Sequence, residues 1–252
     1  KGWAGTLGTD QCLKIMTGAI MPAALDTVVP LEFVKLDGDV VEIPPGVVTA
    51  GDNRRLLGED LMAGQPALRQ GQTLGPAALG LIASLGLSTV TVFRRIKVAY
   101  FSTGDEILTL GEPIREGAVF DSNRYTVFGL LKRLGAEVID MGVVRDEPAL
   151  LEAAFRNAAQ QADAIITSGG VSMGEADHTK AMMKQLGDVA FWRIAMRPGR
   201  PMAVGRIAEA GTSSVLFGLP GNPVAVMVTF LAFVRPALQR LMGGTVTAPV
   251  LL

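Results

Sequence analysis

The stretch Asp163-Ala-Ile-Ile-Thr-Ser-Gly-Gly-Val-Ser-Met-Gly-Glu-Ala-Asp177 combines three features of a ligand-binding corner. Its residues 164–167 are apolar and β-branched, which is typical of a buried strand in a parallel sheet. Gly169 and Gly170 then allow a tight turn and the close approach of a ligand. The helix predicted over 177–186 follows, so free backbone N–H groups would face an anion there. An ordinary strand-to-helix connection is the alternative.

The same alternation extends over the chain from Arg95 onward. Strands are predicted at 96–102, 137–144, 164–167, 189–195, 202–207 and 215–218, and helices at 123–134, 147–161, 177–186 and 223–242. Strands separated by helices of this length predict an α/β fold, with a mainly parallel sheet flanked by helices. Ligands of such sheets bind beyond the carboxyl ends of the strands.

The first third of the chain has a different pattern. Residues 1–46 predict a partial β-rich domain, with strands at 27–31, 32–36 and 40–43 and a hairpin turn at 37–39. Residues 47–94 predict a connector with a helix at 76–85, which begins at a proline, and a strand at 89–93. The α/β domain is expected over 95–244, and residues 245–252 are expected to begin a further β domain that is missing.

Composition limits the classes of function. The chain has 252 residues, with 23 basic and 24 acidic side chains, so no surface for nucleic acid is implied. Its one cysteine, Cys12, fits a reducing compartment. The apolar run 224–234 is too short to span a bilayer, and no signal peptide opens the chain. We therefore expect a soluble, cytoplasmic protein without a membrane partner, and the absence of an initial methionine suggests a fragment.

Acidic residues follow the predicted strands, at the edge where a ligand would bind. They are Glu106, Asp146, Glu175 and Asp177. Carboxylates among glycine turns predict a Mg²⁺-assisted phosphate site, and an anion there also needs cations, which Lys180, Arg193, Arg197 and Arg200 can supply. Helix N-caps are the alternative role for Asp146, Asp177 and Asn123. Walker, dinucleotide-binding and zinc-ligand patterns are absent from the sequence.

The motifs resemble one family, the molybdopterin molybdenumtransferases of molybdenum-cofactor biosynthesis, which are similar to the E domain of gephyrin. The resemblance spans nearly the whole chain in one order. It is carried by the segments 14–19 (KIMTGA), 58–60 (GED), 102–106 (STGDE), 121–123 (DSN), 145–146 (RD), 168–177 (SGGVSMGEAD), 197–201 (RPGRP) and 218–223 (GLPGNP).

The resemblance implies a reaction and the residues that perform it. Adenylylated molybdopterin and molybdate are the substrates, Mg²⁺ assists hydrolysis of the phosphoanhydride, molybdenum is inserted at the dithiolene, and AMP is released. The implied catalytic residues are Thr17, Asp60, Glu106, Asp146 and Asp177, and the metal ligands among them are Glu106, Asp146 and Asp177. The implied substrate-binding residues are Asn123, Ser168, Gly169, Gly170, Ser172, Arg193, Arg197, Arg200, Pro220, Gly221, Asn222 and Pro223.

The family also implies a homodimer, whose cleft would bring Thr17 and Asp60 to the α/β face. This sequence departs from the family by lacking an N-terminal acidic loop and by having arginine at 193, 197 and 200, where lysine is frequent. Two other functions remain open: a molybdopterin-binding scaffold without turnover, and a different enzyme on the same fold, such as a pterin adenylyltransferase. The segments 14–19 and 58–60 argue against the second.

Overall fold

A computed structural model describes residues 3–171 and 178–246. The chain divides into two compact units, one ending at Ala67 and the other beginning at Leu68, so the boundary falls inside the predicted connector. The described strands are β1 (Lys35–Asp37), β2 (Val40–Glu42), β3 (Lys97–Thr103), β4 (Ile107–Leu108), β5 (Val119–Phe120), β6 (Glu137–Val144), β7 (Ala164–Ser168), β8 (Gly187–Arg193), β9 (Pro201–Glu209) and β10 (Thr212–Leu219). The described α-helices are α1 (Pro76–Ser84), α2 (Ser122–Leu134), α3 (Pro148–Gln161), α4 (His178–Leu186), α5 (Pro223–Thr229) and α6 (Arg235–Leu241).

The second unit is built on a six-stranded sheet of order β6-β3-β7-β10-β9-β8. The first four strands of this order are parallel, whereas β9 is antiparallel to both of its neighbours. Strand β8 therefore runs in the same direction as β7, and β9 alone is reversed within the sheet. The predicted α/β fold with a mainly parallel sheet flanked by helices is confirmed.

Apolar side chains alternate between the two faces of this sheet, as the strand repeat requires. On one face Tyr100 and Ile166 form a core with α2 and the helix that begins at Pro223. On the other face Phe101 and Ile165 form a second core with α3 and α4. Phe101 contacts Phe155 of α3 edge to face, with ring centroids 5.1 Å apart. The domain consequently has three layers, with the sheet in the middle.

The last helix is continuous but not uniform. A π-helical turn, Phe230–Val234, joins α5 to α6. Length and apolar composition alone would allow Pro223–Leu241 to cross a membrane. Val226, Phe230 and Val234, however, are fully buried in the core against the sheet. One face of this helix therefore packs in the core of the domain.

In the first part of the chain, the strand predicted at 27–31 is wrong and the strand predicted at 32–36 begins three residues later. Residues 27–31 form no strand, because Thr27 and Val28 bond to the 51–53 loop: the Gly51 N–H donates to Thr27 Oγ1, and the Val28 N–H donates to Asp52 O. The turn Leu31–Phe33 is a 3₁₀ helix, so β1 begins at Lys35. Its hairpin with β2 is confirmed.

The predicted strand at 89–93 is also wrong, although its residue types favour a strand. Val90, Val92 and Phe93 are exposed and pair with no neighbouring strand in the part of the chain that is described. A β-branched composition needs such a partner before it forms a strand. The Phe93 ring packs instead on Gly243, where an added Cβ would lie 2.5 Å from the ring.

Two further differences concern the α/β domain, and a third point concerns the segment that follows it. Gly187, predicted to close the fourth helix, is the first residue of β8, where an added Cβ would lie 2.1 Å from Arg206 O. The short parallel pair β4 and β5, which lies between β3 and α2 in the chain, was not predicted. Of the predicted segment 245–252, only residues 245–246 are described, and the Thr245 N–H donates to Gly71 O.

Candidate functional site

The predicted site segments leave the sheet at one edge. Because β3, β6, β7 and β10 are parallel, their last residues Thr103, Val144, Ser168 and Leu219 lie at the same end of the sheet. Arg193 ends β8, which runs in the same direction, so it also belongs to this edge. The topology therefore gathers the turns that carry the carboxylates, the glycines and Arg193.

The Gly169–Gly170 turn is tightly packed against its neighbours. Both residues have positive φ angles, 89° and 64°, which a side chain would disfavour. An added Cβ on Gly169 would lie 2.3 Å from Thr103 O, and one on Gly170 would lie 2.4 Å from Thr179 Cβ. The Gly169 N–H donates to Leu219 O. Only glycine fits at these two positions, so the backbone itself forms this part of the edge.

Acidic groups from two neighbouring strands meet beside this turn. Asp146 Oδ1 accepts a hydrogen bond from the Thr179 hydroxyl at 3.2 Å, and Thr179 Oγ1 lies 3.3 Å from Thr103 Oγ1. Asp105 Oδ1 accepts from the Asp146 N–H at 3.4 Å, and Arg115 donates to the Asp105 carbonyl. Glu106 follows Asp105 with an exposed side chain. The loops after β3 and β6 thus present carboxylates on one side of the sheet edge.

The oxygen atoms at this edge fit a hard cation such as Mg²⁺. Magnesium commonly takes one or two protein carboxylates and completes its shell with water and substrate phosphates. Glu106 and Asp146 could supply those carboxylates. Within residues 3–171 and 178–246, no three acidic, histidine or cysteine side chains could hold a metal by themselves. Ser172, Glu175 and Asp177 lie outside the described residues, so the predicted triad with Asp177 stays a prediction.

Two N-cap alternatives are wrong. The cap of α2 is Asp121, whose Oδ1 accepts from the Arg124 N–H, because the helix begins one residue earlier than predicted. Asn123 therefore lies inside the first turn, and its Nδ2 donates to Gly221 O at 2.8 Å. Asp146 does not cap α3 either: the cap position is Glu147, without a side-chain hydrogen bond. Asn123 and Asp146 thus make tertiary contacts at the edge.

The serine before the glycine turn makes contacts that its residue type did not reveal. Ser168 Oγ lies 2.7 Å from Tyr100 Oη and 3.2 Å from Ser102 Oγ, all within the protein interior. Burial raises the pKa of the Tyr100 phenol far above its ordinary value of 10.0, so the phenol keeps its proton. Ser168 is therefore engaged by neighbouring hydroxyls, and its role in contacting a substrate stays a prediction.

A shallow, open cleft of about 530 Å³ holds two of the predicted arginines. Arg197 and Arg200 line it together with Pro220, Asn222 and Ala225, so the 197–201 turn faces the start of α5. Asn222 is the N-cap of α5: its Oδ1 accepts from the N–H groups of the next helical residues. Arg193 ends β8 and is not among the residues lining the cleft.

The remaining predicted residues divide between the units. Lys180 lies on α4, with its ammonium group 5.2 Å from the centroid of the Phe191 ring. Pro223 is the first residue of α5, and Gly221 receives the hydrogen bond from Asn123. Thr17 and Asp60 belong to the first unit, where both are exposed and Asp60 pairs with Arg55 at 3.3 Å.

Sequence reasoning missed three residues at this edge: Tyr100, Thr179 and Asp121. Tyr100 lies in an apolar strand, where a tyrosine is readily taken as a core residue. A buried tyrosine needs a hydrogen-bond partner, and this rule could have drawn attention to the serines near it. Thr179 carried no signal in the sequence beyond its closeness to a quoted motif, and Asp121 was quoted as part of the 121–123 motif but was given no role.

Two family models match the chain in succession. The first, described as the MoeA N-terminal region (domain I and II), matches residues 2–86. The second, described as a probable molybdopterin binding domain, matches residues 99–240, which is more than half of the chain.

The chain belongs to the molybdopterin molybdenumtransferase family.

Individual proteins with similar sequences support this assignment. A molybdopterin molybdenumtransferase of Haemophilus influenzae is 45% identical over 92% of this chain and 57% of its own length. Gephyrin of Dictyostelium discoideum is 31% identical over 92% of this chain and 36% of its own. The chain thus spans little more than half the length of the first of these relatives.

A solved structure gives the same result. The crystal structure of the molybdopterin biosynthesis moea protein from Pyrococcus horikosii matches with a TM-score of 0.66 and 34% identity, over 90% of this chain and 56% of that one. The resemblance to the molybdopterin molybdenumtransferase family that the motifs indicated is confirmed.

Proposed function

We propose that this protein inserts molybdenum from molybdate into adenylylated molybdopterin, with Mg²⁺-dependent release of AMP. The observation that carries the proposal is the contact between the acidic loops and the glycine turn: Asp146 bonds to Thr179, against which Gly170 packs. A phosphoanhydride needs both kinds of group, since backbone N–H donors bind its oxygens and carboxylates hold a cation beside them. The family membership supports the same reaction.

In this proposal Glu106 and Asp146 hold Mg²⁺, together with Asp177. Bound there, the cation would neutralise charge on the phosphoryl oxygens. Asp146 is kept in place by the hydrogen bond from Thr179, which orients one carboxylate oxygen and leaves the other available. The backbone N–H of Gly170, with Ser172, would bind the anionic part of the substrate, while the Gly169 N–H, also predicted to do so, already donates to Leu219 O.

The arginine cleft supplies the positive charge that the carboxylates cannot. Arg197 and Arg200 both line the cleft, and Gly199 between them in the chain packs against Thr229 of α5. Guanidinium groups bind multi-oxygen anions in bidentate fashion, so molybdate or a phosphate of the substrate fits this cleft. Arg193, at the end of β8, would add a further positive charge at this edge of the sheet. Pro220 and Asn222 also line the cleft, and they belong to the loop that runs through Gly221 to Pro223, the first residue of α5.

We also propose a homodimer in the cytoplasm, with no nucleic-acid or membrane partner. A partner subunit would bring its Thr17 and Asp60 segments to the α/β domain, where they would act with the acidic loops. The near-neutral charge of the chain supports the absence of a nucleic-acid partner. The division into 1–46, 47–94, 95–244 and 245–252 remains a prediction within this proposal.

The proposal is tested by incubating the protein with adenylylated molybdopterin, molybdate and Mg²⁺ and measuring AMP by chromatography. We expect AMP to appear with Mg²⁺ and to be lost when EDTA is added. Binding of adenylylated molybdopterin without any AMP would reject the transferase and favour the non-catalytic scaffold. Analytical ultracentrifugation of the same sample tests the homodimer, and a monomer at all concentrations would contradict it.

A further inference from the structure

Three buried hydroxyl groups form a closed ring beneath the glycine turn. Tyr100 Oη lies 2.8 Å from Ser102 Oγ and 2.7 Å from Ser168 Oγ, and the two serine oxygens are 3.2 Å apart. The three residues are only 1–2% exposed. Each hydroxyl has one proton to donate and can accept in return, so a ring of three can use every proton within itself. The ring needs no group from outside.

This ring joins the two strands that carry the site. Ser102 of β3 and Ser168 of β7 are partners in the parallel register, and each is followed by a residue of the edge. Thr103, after Ser102, has its carbonyl oxygen against Gly169, which follows Ser168. A change in the distance between the two serines would therefore displace Thr103 relative to Gly169, because no room is left between Thr103 and Gly169.

We propose that Tyr100 is a positioning residue for the Gly169–Gly170 turn. Its phenol holds Ser102 and Ser168 at a fixed separation, and the serines in turn hold the turn in the position where the Gly169 N–H reaches Leu219 O and the Gly170 N–H faces the edge. Ser168 accordingly acts through the ring and does not contact the substrate. The proposal rests on the proposed function for what the turn binds, whereas the positioning itself can be observed without a substrate.

The test compares Tyr100→Phe with Thr167→Val. The first variant keeps the aromatic ring and removes the hydroxyl that bonds to both serines. The second is a matched control: Thr167 is fully buried next to Ser168, and its Oγ1 has no hydrogen-bond partner among the described residues. Thr167→Val therefore removes a buried hydroxyl without removing a hydrogen bond between described residues.

Hydrogen exchange at the Gly169 and Gly170 amides is the first readout. We expect Tyr100→Phe to speed it by about three- to tenfold, the range that a lost buried hydrogen bond implies, and Thr167→Val to leave it unchanged. The second readout is AMP release, in which Tyr100→Phe should raise the KM for adenylylated molybdopterin more than it lowers kcat. Ser168→Ala should behave like Tyr100→Phe, and the double variant should be little worse than either.

Two results would overturn the proposal. One is equal glycine exchange in Tyr100→Phe and Thr167→Val, even if Tyr100→Phe lowers the stability. The other is faster exchange with an unchanged KM, which leaves Tyr100 as a support of the turn but overturns its role in positioning the turn for substrate binding. If the unaltered protein releases no AMP, the proposed function fails, and glycine exchange alone then decides whether Tyr100 positions the turn.

Discussion

At the scale of the residue, Asp146 is placed by tertiary contacts. Its carboxylate could have capped α3, but the helix begins later and its cap position is Glu147. The side chain instead accepts from Thr179, a residue of α4 that is fully buried. A carboxylate held by one hydroxyl keeps lone pairs for a cation. Its contacts therefore fit a metal ligand better than a helix cap.

Asp146→Asn should abolish Mg²⁺-dependent AMP release, with a loss of about 100-fold or more, because the amide carries no charge to hold the cation. The fold should survive, since the amide oxygen still accepts from Thr179. Asp188→Asn is the control, because Asp188 is exposed near the opposite end of the sheet. Steady-state AMP release checks both variants. Full turnover by Asp146→Asn would remove this residue from the metal site.

Gly169→Ala should lower the free energy of unfolding by at least about 2 kcal/mol, because the new Cβ meets a backbone carbonyl in addition to the strain of the positive φ. Gly111→Ala separates the two causes. Gly111 has a φ of 93° but open space around it, so its substitution should cost only about 1 kcal/mol. Urea unfolding measures both, and equal losses would show that the contact with Thr103 is not tight.

At the scale of the element, the helix that begins at Pro223 shows how capping and site chemistry share one loop. Asn222 Oδ1 accepts from the Val224 and Ala225 N–H groups, at 3.0 and 3.2 Å. The side chain also lines the arginine cleft. A helix N-terminus left without a cap loses stability, so the cap alone is reason enough for an asparagine here.

Asn222→Ala should cost about 1 kcal/mol of stability, the usual effect of a lost N-cap. Asn222→Ser restores a capping oxygen and should recover most of that loss. If Asn222 serves only as a cap, the serine variant should also recover the KM for adenylylated molybdopterin. Recovery of stability without recovery of KM would show that the asparagine contacts the substrate directly. Thermal unfolding and AMP kinetics give the two measurements.

At the scale of the molecule, an ion pair joins two residues that are distant in the chain. Arg94 precedes β3, and Asp163 precedes β7. Arg94 donates two hydrogen bonds to the Asp163 carboxylate, at 2.7 and 2.5 Å, and the Lys97 N–H donates a third at 2.8 Å. The hydrogen bond from Arg94 is the main cause that lowers the pKa of Asp163 below its ordinary 3.8. Folding and ionisation of this group are therefore linked.

The sign of the linkage follows from the lowered pKa. Stabilisation by Asp163 is complete above the ordinary pKa and is lost as the pH falls through the pKa of the folded state, because protonation then favours the unfolded chain. Asp163→Asn should flatten the decline in urea midpoint between about pH 5 and about pH 3, whereas Asp188→Asn should keep the slope of the unaltered protein. An unchanged slope in Asp163→Asn would exclude this ion pair as a source of acid sensitivity.

Local patterns in the chain were enough for the architecture and for the family. The strand-helix alternation from Arg95 onward predicted the main sheet and its helices, since burial on both faces leaves continuous apolar strands between amphipathic helices. The motifs around Thr103, Ser168 and Gly221 were also correctly placed at strand ends. Such features depend on residues close together in the chain, which is why they can be seen without coordinates.

Contacts between distant residues could not be obtained in this way. Residue types alone left Asp146 and Asn123 as possible helix caps, and packing gave them partners 33 and 98 positions away. The strand predicted at 89–93 is wrong because no strand among residues 3–171 and 178–246 pairs with it, and the hydroxyl ring exists only because β3 and β7 are adjacent. Hydrogen-bond partners and strand neighbours are set by how the whole domain packs, and no local pattern encodes them.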